Sequence, residues 1–285
     1  MKNRIAAVLL TAVILTGCSS PVQETYSGSS EPVITEQQTN TAPETLAVVI
    51  TEAALPDTES VTEAVTAPES ELHTEAAGKL YGIKIGIDPG HQLHGNSEQE
   101  AIAPWNPTTK DKVKSGTTGV ATGIPEYVTN LDLSLALRTE LEAEGATVYM
   151  TRETHDVNLS NQERTKMMNE YGVDLMLRIH CDASDNPEAT GIGLYVSESN
   201  AIAAQSYQYA QIIQPILCET VGAQNRGIVQ NDNYTGQNWA EVPCIMIECG
   251  FMTNPEEDRL LNDPAYQEKL AEGIVRGIEG CFVKS

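Results

Sequence analysis

The apolar residues follow two different patterns along the chain. From Lys79 onward, short apolar runs alternate with stretches where leucine or valine returns every three or four positions. Residues 83–87, 147–150, 173–179, 191–196 and 242–247 have the length and aliphatic content of buried strands. Residues 126–144 carry Val128, Leu131 and Leu135, then Leu133, Leu137 and Leu141, at helical spacing. Pro125 suits the first turn of that helix, and Gly145 ends it. Residues 160–171 predict a second helix, opened by Ser160 with Glu163 three positions on as a capping box. A helix over 200–221, irregular at Pro215, and a closing helix over 264–282 complete the pattern. Strands alternating with helices predict one α/β domain over 79–285, built on a largely parallel sheet.

Before residue 79 the pattern is different. Lys2 and Arg4 precede a short apolar run over 5–15, which fits a signal peptide over 1–17 rather than a finished membrane span. The run ends in Leu15-Thr16-Gly17-Cys18, which resembles a bacterial lipobox, so Cys18 is expected to be lipid-anchored at the membrane after cleavage. Residues 18–78 are rich in Thr, Ser, Glu, Pro and Ala, with Thr-Glu-Ala and Ala-Pro-Glu recurring. Low hydrophobicity and one-signed charge predict a disordered tether. A 60-residue coil of this kind reaches roughly 40 Å.

Charge sharpens this division. The formal net charge is -23, and residues 19–78 contribute eleven acids with no Lys or Arg. The field excludes a nucleic-acid backbone as partner, and 5% aromatic residues provide no base-stacking platform. Apart from Cys18, five cysteines remain without regular spacing, which argues against a disulfide framework while leaving room for a single bridge.

Three predicted strands end in chemistry-bearing residues. Residues 83–87 enter Asp88-Pro89-Gly90-His91, 174–179 enter His180-Cys181-Asp182, and 244–247 enter Glu248. In a parallel sheet such ends share one edge, where ligand sites form. Glu126 opens its helix on that same edge. Two imidazoles and a carboxylate match a catalytic zinc site with a fourth position left for water, and a further carboxylate supplies a general base. Singly each has a plain alternative: a strand-end histidine is commonly a satisfied polar residue, and an acid opening a helix a dipole partner. Glu248 resists that reading, because a carboxylate inside an apolar strand is costly unless it is paired or functional.

These residues, with Pro125-Glu126 leading to Asn130-Leu131, Arg178-Ile179-His180-Cys181-Asp182 and Ile247-Glu248-Cys249-Gly250-Phe251-Met252-Thr253-Asn254-Pro255, resemble the zinc-dependent N-acetylmuramoyl-L-alanine amidases. Thr151-Arg152 through Glu163-Arg164 also look like that family. The resemblance covers essentially 80–282. It implies an α/β fold with a mostly parallel, about six-stranded sheet flanked by helices on both faces. It also implies one catalytic Zn2+ held by His91, Glu126 and His180, with Glu248 as catalytic acid/base. The expected substrate is peptidoglycan, cut between N-acetylmuramic acid and L-alanine. The expected setting is a monomeric, extracytoplasmic lipoprotein of clostridial type, facing the cell wall of a Gram-positive cell. A zinc peptidase cutting within the stem peptide, or a metal- or solute-binding lipoprotein without turnover, are the alternatives.

Where the family commonly has Gly-Gly after its first histidine, this chain has Gln92-Leu93-His94 and a long segment reaching Gly123. It carries Lys110, Lys112 and Lys114, and is expected to be a loop flanking the site. His94 is a lesser candidate ligand, and Cys181 and Cys249 are expected to pack as apolar residues. His73 and His155 are expected to be solvated, and Glu219, Gln230 and Asn254 are candidates to flank the substrate.

Overall fold

The computed structural model describes residues 78–283. The expected signal peptide, Cys18, His73 and nearly all of the tether lie outside the described residues. In chain order the elements are β1 (Lys84–Pro89), β2 (Asn96–Ala103), β3 (Asn106–Val113), α1 (Glu126–Ala143), β4 (Thr147–Met150), α2 (Asn161–Tyr171) and β5 (Leu175–Asp182). They are followed by β6 (Ile192–Val196), α3 (Ala203–Val221), β7 (Asn225–Gln230), α4 (Thr235–Asn238), β8 (Cys244–Phe251), α5 (Pro255–Leu261) and α6 (Pro264–Phe282). Among these no helix is long and apolar enough to cross a membrane.

Six strands form one sheet in the order β4-β1-β5-β8-β6-β7, and β2 and β3 form a separate hairpin. β4, β1, β5 and β8 are parallel neighbours. β6 runs antiparallel to β8, and β7 is parallel to β6. The sheet is therefore mostly parallel, as expected.

Alternation along the central strands separates the two faces. Ile85 and Ile87 of β1, Leu175, Leu177 and Ile179 of β5, and Ile245 and Ile247 of β8 join one buried cluster with Leu133, Leu137 and Leu141 of α1, Ile213 and Leu217 of α3, and Ile274 and Ile278 of α6. This is the main core. The other face is graded. Met176 of β5 and Cys244 of β8 pack with Met168 of α2 at its apolar end. Asp88, Arg178 and Met246 are register partners one step along. His180 and Glu248 pair at the far end. A polar site thus lies on a sheet whose other face is wholly apolar.

The helix boundaries follow their caps. Ser160 and Glu163 form the reciprocal capping box, and Gly172 closes α2 in the left-handed conformation with φ 59°. α3 runs through Pro215 as one helix. Pro215 and Gln211 are both exposed, so the lost backbone bond faces solvent. Asn200 sits just outside α3, accepting from the Ile202 amide and donating to the carbonyls of Gln237, Asn238 and Ala240. That is why α3 starts at Ala203 rather than at Asn200.

The segment expected to be a loop is the β2–β3 hairpin. Its strands are mostly polar and show little alternation, so periodicity gives no strand signal. Side chains from the second face of the domain hold its backbone instead. Trp239 Nε1 and Gln162 Nε2 donate to Ala101 O, Asn238 Nδ2 donates to Ile102 O, and Asn161 Nδ2 donates to Lys112 O.

Candidate metal centre and cleft

The chain leaves β1 through Pro89-Gly90 into His91, whose φ of 60° is the one positive value on a non-glycine among the described residues. Such a conformation is held only where the surroundings over-determine it. Here two arginines do so. Arg152 donates to the carbonyls of Pro89, Gly90 and Tyr127. Arg164 donates to Pro89 O, His91 O and Gln92 Oε1.

Asp88 anchors the arrangement from below. It is wholly buried and takes Arg164 at 2.9 Å, Arg178 at 2.8 Å and the Thr151 hydroxyl at 2.6 Å. Burial alone would raise its carboxyl, but the two guanidiniums and these hydrogen bonds hold it well below the ordinary 3.8. The parts of Arg152 and Arg164 in shaping the turn are not readable from the sequence, although both fall within stretches resembling the family.

His91 Nδ1 lies 2.7 Å from Lys114 O. A carbonyl only accepts, so this nitrogen carries the proton and a neutral ring presents a bare Nε2. Nε2 lies 3.1 Å from Glu126 Oε1. His180 Nδ1 lies 3.3 Å from the same oxygen, while its Nε2 is buried with no hydrogen-bond partner in the protein. Burial, outweighing the hydrogen bond to Glu126, pushes His180 down to about 4, so the ring is neutral at physiological pH. One donor atom from each of His91, Glu126 and His180 lies within 4.8 Å of the others.

Glu126 occupies the first turn of α1 and is buried. Its Oε1 takes Asn130 Nδ2 at 3.1 Å and the Cys181 amide at 3.2 Å, and its Oε2 takes the Thr117 amide at 3.0 Å. Burial would raise this carboxyl, yet the neighbouring His91 and the hydrogen bond from His180 hold it well below its ordinary range. The result is a fixed carboxylate facing two imidazole nitrogens, a donor set suited to a divalent cation such as Zn2+. The neutral His180 ring and its unpartnered buried nitrogen fit that use. Glycine is required on either side. A Cβ at Gly90 would run into the His180 ring, and one at Gly116, where φ is +85°, would meet Glu126 Oε2 and His91.

Glu248 stands opposite His180 in the β5–β8 register and opposite Gly193 of β6. It is 9% exposed, and its Oε2 has no partner in the protein. Burial first, then the negative charges of Glu126 and Asp182, raises its carboxyl well above the ordinary range. His91, His180 and Glu248 line a cleft of about 400 Å³, floored by Arg178 and Met246 and walled by Lys110, Val113 and Lys114 of the hairpin segment and by Tyr234 and Thr235.

The expected quartet therefore converges, with His91, Glu126 and His180 as a cluster and Glu248 beside it. His94 lies apart, in a separate depression with Asn96 and Asp156. His155 is only partly exposed rather than fully solvated: its ring packs edge-on against Tyr127 at 5.3 Å, and its Nδ1 is buried. Asn254 caps α5, accepting from the Glu256 and Glu257 amides, while Glu219 and Gln230 are exposed. Cys181 and Cys249 join the apolar core on the opposite face, and all five described cysteines are free thiols. Lys110 reaches the cleft from the segment expected to flank the site, whereas Tyr234 and Thr235 had no sequence signal as cleft residues, because they reach it through an element that periodicity does not reveal.

Residues 85–280 match the N-acetylmuramoyl-L-alanine amidase family model, Amidase_3. The chain is 28% identical over 211 residues to N-acetylmuramoyl-L-alanine amidase LytC of Bacillus subtilis, covering 74% of this chain and 38% of that protein. It is 29% identical over 217 residues to the probable cell wall amidase LytH of Staphylococcus aureus, covering 74% of this chain and 62% of that one. The chain thus spans less than two thirds of the length of either relative. Its fold is similar to that of the amidase Ami1 of Mycobacterium smegmatis, with TM-score 0.64 and 28% identity over 70% of this chain and 97% of that one. It is also similar to the N-acetylmuramoyl-L-alanine amidase of Clostridium difficile 630, with TM-score 0.58 and 28% identity over 69% and 94% of the two chains.

Proposed function

The chain belongs to the N-acetylmuramoyl-L-alanine amidase family, and from that premise we propose that it hydrolyses the amide between N-acetylmuramic acid and the L-alanine of the peptidoglycan stem. The observation carrying this reading is the closure of His91, Glu126 and His180 on one another with Glu248 across the β5–β8 register.

His91, Glu126 and His180 are the residues to hold one zinc ion. When bound, zinc would supply a Lewis acid for the scissile carbonyl and draw the pKa of a coordinated water toward neutrality. The chain's own groups supply the rest. Lys114 O, Asn130 and the Cys181 amide fix the orientation of His91 and Glu126. Glu248 accepts the proton of the attacking water as its oxygen bonds to the lactyl carbonyl carbon. It returns that proton to the alanine nitrogen as the carbon–nitrogen bond breaks. A carboxyl whose burial favours the protonated form, beside a cation that favours the ionised one, is suited to gaining and losing one proton per turnover. The signal-like N-terminus and Cys18 fit an extracytoplasmic enzyme tethered to the membrane and facing the wall.

Digestion of purified peptidoglycan should release a new L-alanine amino terminus. Metal analysis should find one zinc per chain, lost on His180→Ala. Glu248→Gln should lower the rate at least about 100-fold, the usual scale of a lost general acid/base, while retaining the metal. New termini only at later stem positions would assign the site to a peptidase.

A further inference from the structure

The cleft lined by His91 and His180 is also lined by Lys110, which has no ion-pair partner among the described residues, and by its neighbour Asp111, which accepts from Gln99. Lys110 lies on β3, part-buried, and its Nζ donates to Asn233 O at 3.0 Å. The same Nζ stands 5.9 Å from the centre of the Tyr234 ring. No carboxylate lies within ion-pair distance of it among the described residues, unlike Lys112, whose Nζ reaches Glu98 at 2.7 Å. Its cross-strand partner Glu100 accepts from the Gln162 amide and makes no ion pair with it. Arg178, the other buried cation of the cleft, is fully engaged with Asp88, Gln237 and Asn161. An ammonium has three donors, so Lys110 keeps two free.

A second group stands near it along the same wall. Thr235 is 1% exposed and lines the cleft, and its hydroxyl has no hydrogen-bond partner in the protein. A buried hydroxyl without a partner costs stability. An ammonium with free donors and an unpartnered hydroxyl lining one cleft form a receptor for an anion. The ligand must be part of what the cleft already takes, because His91, His180 and Glu248 line the same 400 Å³.

We infer that Lys110 and Thr235 form a carboxylate subsite, and that it takes the free carboxylate of the second residue of the stem peptide while the amide before the first residue lies at Glu248. The assignment rests on the amidase reading above. A residue extends at most about 3.6 Å, so a carboxylate on the second residue falls about two residue lengths, roughly 7 Å, beyond the scissile bond. Lys110 and Glu248 line the same cleft of about 400 Å³. The hairpin thereby becomes a selectivity element: it distinguishes stems whose second residue keeps its acid from stems in which that acid is a primary amide.

The test uses two muramoyl-peptide substrates that differ only in whether the second residue carries a carboxylate or a primary amide. For wild type, kcat/KM should favour the acid roughly ten-fold, the scale of one charge-assisted hydrogen bond. In Lys110→Met the ratio should fall to within about two-fold of unity, and Lys110→Arg should restore the preference, since either cation meets a carboxylate. Thr235→Val should lower the ratio part-way. Equal cleavage of both substrates by wild type, or an undiminished ratio in a Lys110→Met protein with a native melting curve, would overturn the subsite. Release of no L-alanine terminus from either substrate by wild type would instead overturn the amidase reading, and the subsite with it.

Discussion

Asp88 shows how a single residue sets the position of a site it does not enter. Its carboxylate is shared by Arg164 and Arg178, both almost wholly buried. Arg164 in turn grips the carbonyls around His91. Asp88→Ala should destabilise the fold by about 3–5 kcal/mol, because it leaves two guanidiniums buried without their counter-ion; urea unfolding at pH 7 measures this. The pH dependence has a definite sign. The folded carboxyl titrates well below its ordinary 3.8, so its contribution is complete above that value and is lost as pH falls toward the folded one. The gap between wild type and Asp88→Asn should therefore shrink below about pH 4, where the unfolded chain takes up the proton first. Constancy of that gap from pH 7 to pH 3 would rule the linkage out. Glu248 is legible in the sequence because a carboxylate within Cys244–Phe251 violates the apolar pattern. His91, Glu126 and His180 are legible because strand ends and a helix start share an edge. The arginines are not, since a guanidinium near a strand end looks the same whether it faces solvent or a buried aspartate.

Among the elements, legibility follows how each one is stabilised. Strands β1, β4, β5, β6 and β8 and helices α1, α3 and α6 bury apolar residues, and that burial writes a pattern into the sequence, whereas α2, whose buried residues are Arg164, Thr165 and Met168, shows through its capping box. The hairpin buries little apolar surface. Its backbone is held by donors from Asn161, Gln162, Asn238 and Trp239, contacts between residues far apart in the chain. β7 buries none of its residues fully and carries Gly227 at φ 82°, which weakens any alternation. This difference has a kinetic consequence. Trp239→Phe removes the Nε1 bond to Ala101 O while keeping most of the ring's packing. It should loosen the hairpin without unfolding the sheet, raising KM several-fold and leaving kcat nearly unchanged, with a cost of about 1 kcal/mol. Steady-state kinetics on a soluble muropeptide, paired with a melting curve, separate the two effects. A large fall in kcat with KM unaltered would mean that the hairpin acts on the chemistry rather than on the cleft wall.

At the scale of the whole molecule, the charge count divides between two jobs. Of the 40 acidic residues, eleven lie in 19–78, ahead of the described domain. Among the described residues the cleft lining is drawn from residues 91–248. The domain is itself acidic, so bulk attraction to anionic wall polymers does not hold it in place. On the proposed reading, placement would fall instead to Cys18 and the segment after it. A protein of residues 78–285 should fold and cleave soluble muropeptides with kcat/KM within about two-fold of the full chain, since the described core closes within 78–283. Cys18→Ser in the full chain should leave that activity equally intact but move the protein from the membrane fraction to the soluble one, because stable attachment depends on acyl chains. Fractionation of cells expressing either form, with the same muropeptide assay on both fractions, keeps catalysis and placement apart. If Cys18→Ser stayed in the membrane fraction, some other surface would hold the enzyme there. If the 78–285 protein lost turnover on soluble substrate, the N-terminal segment would contribute to the site rather than only to its reach.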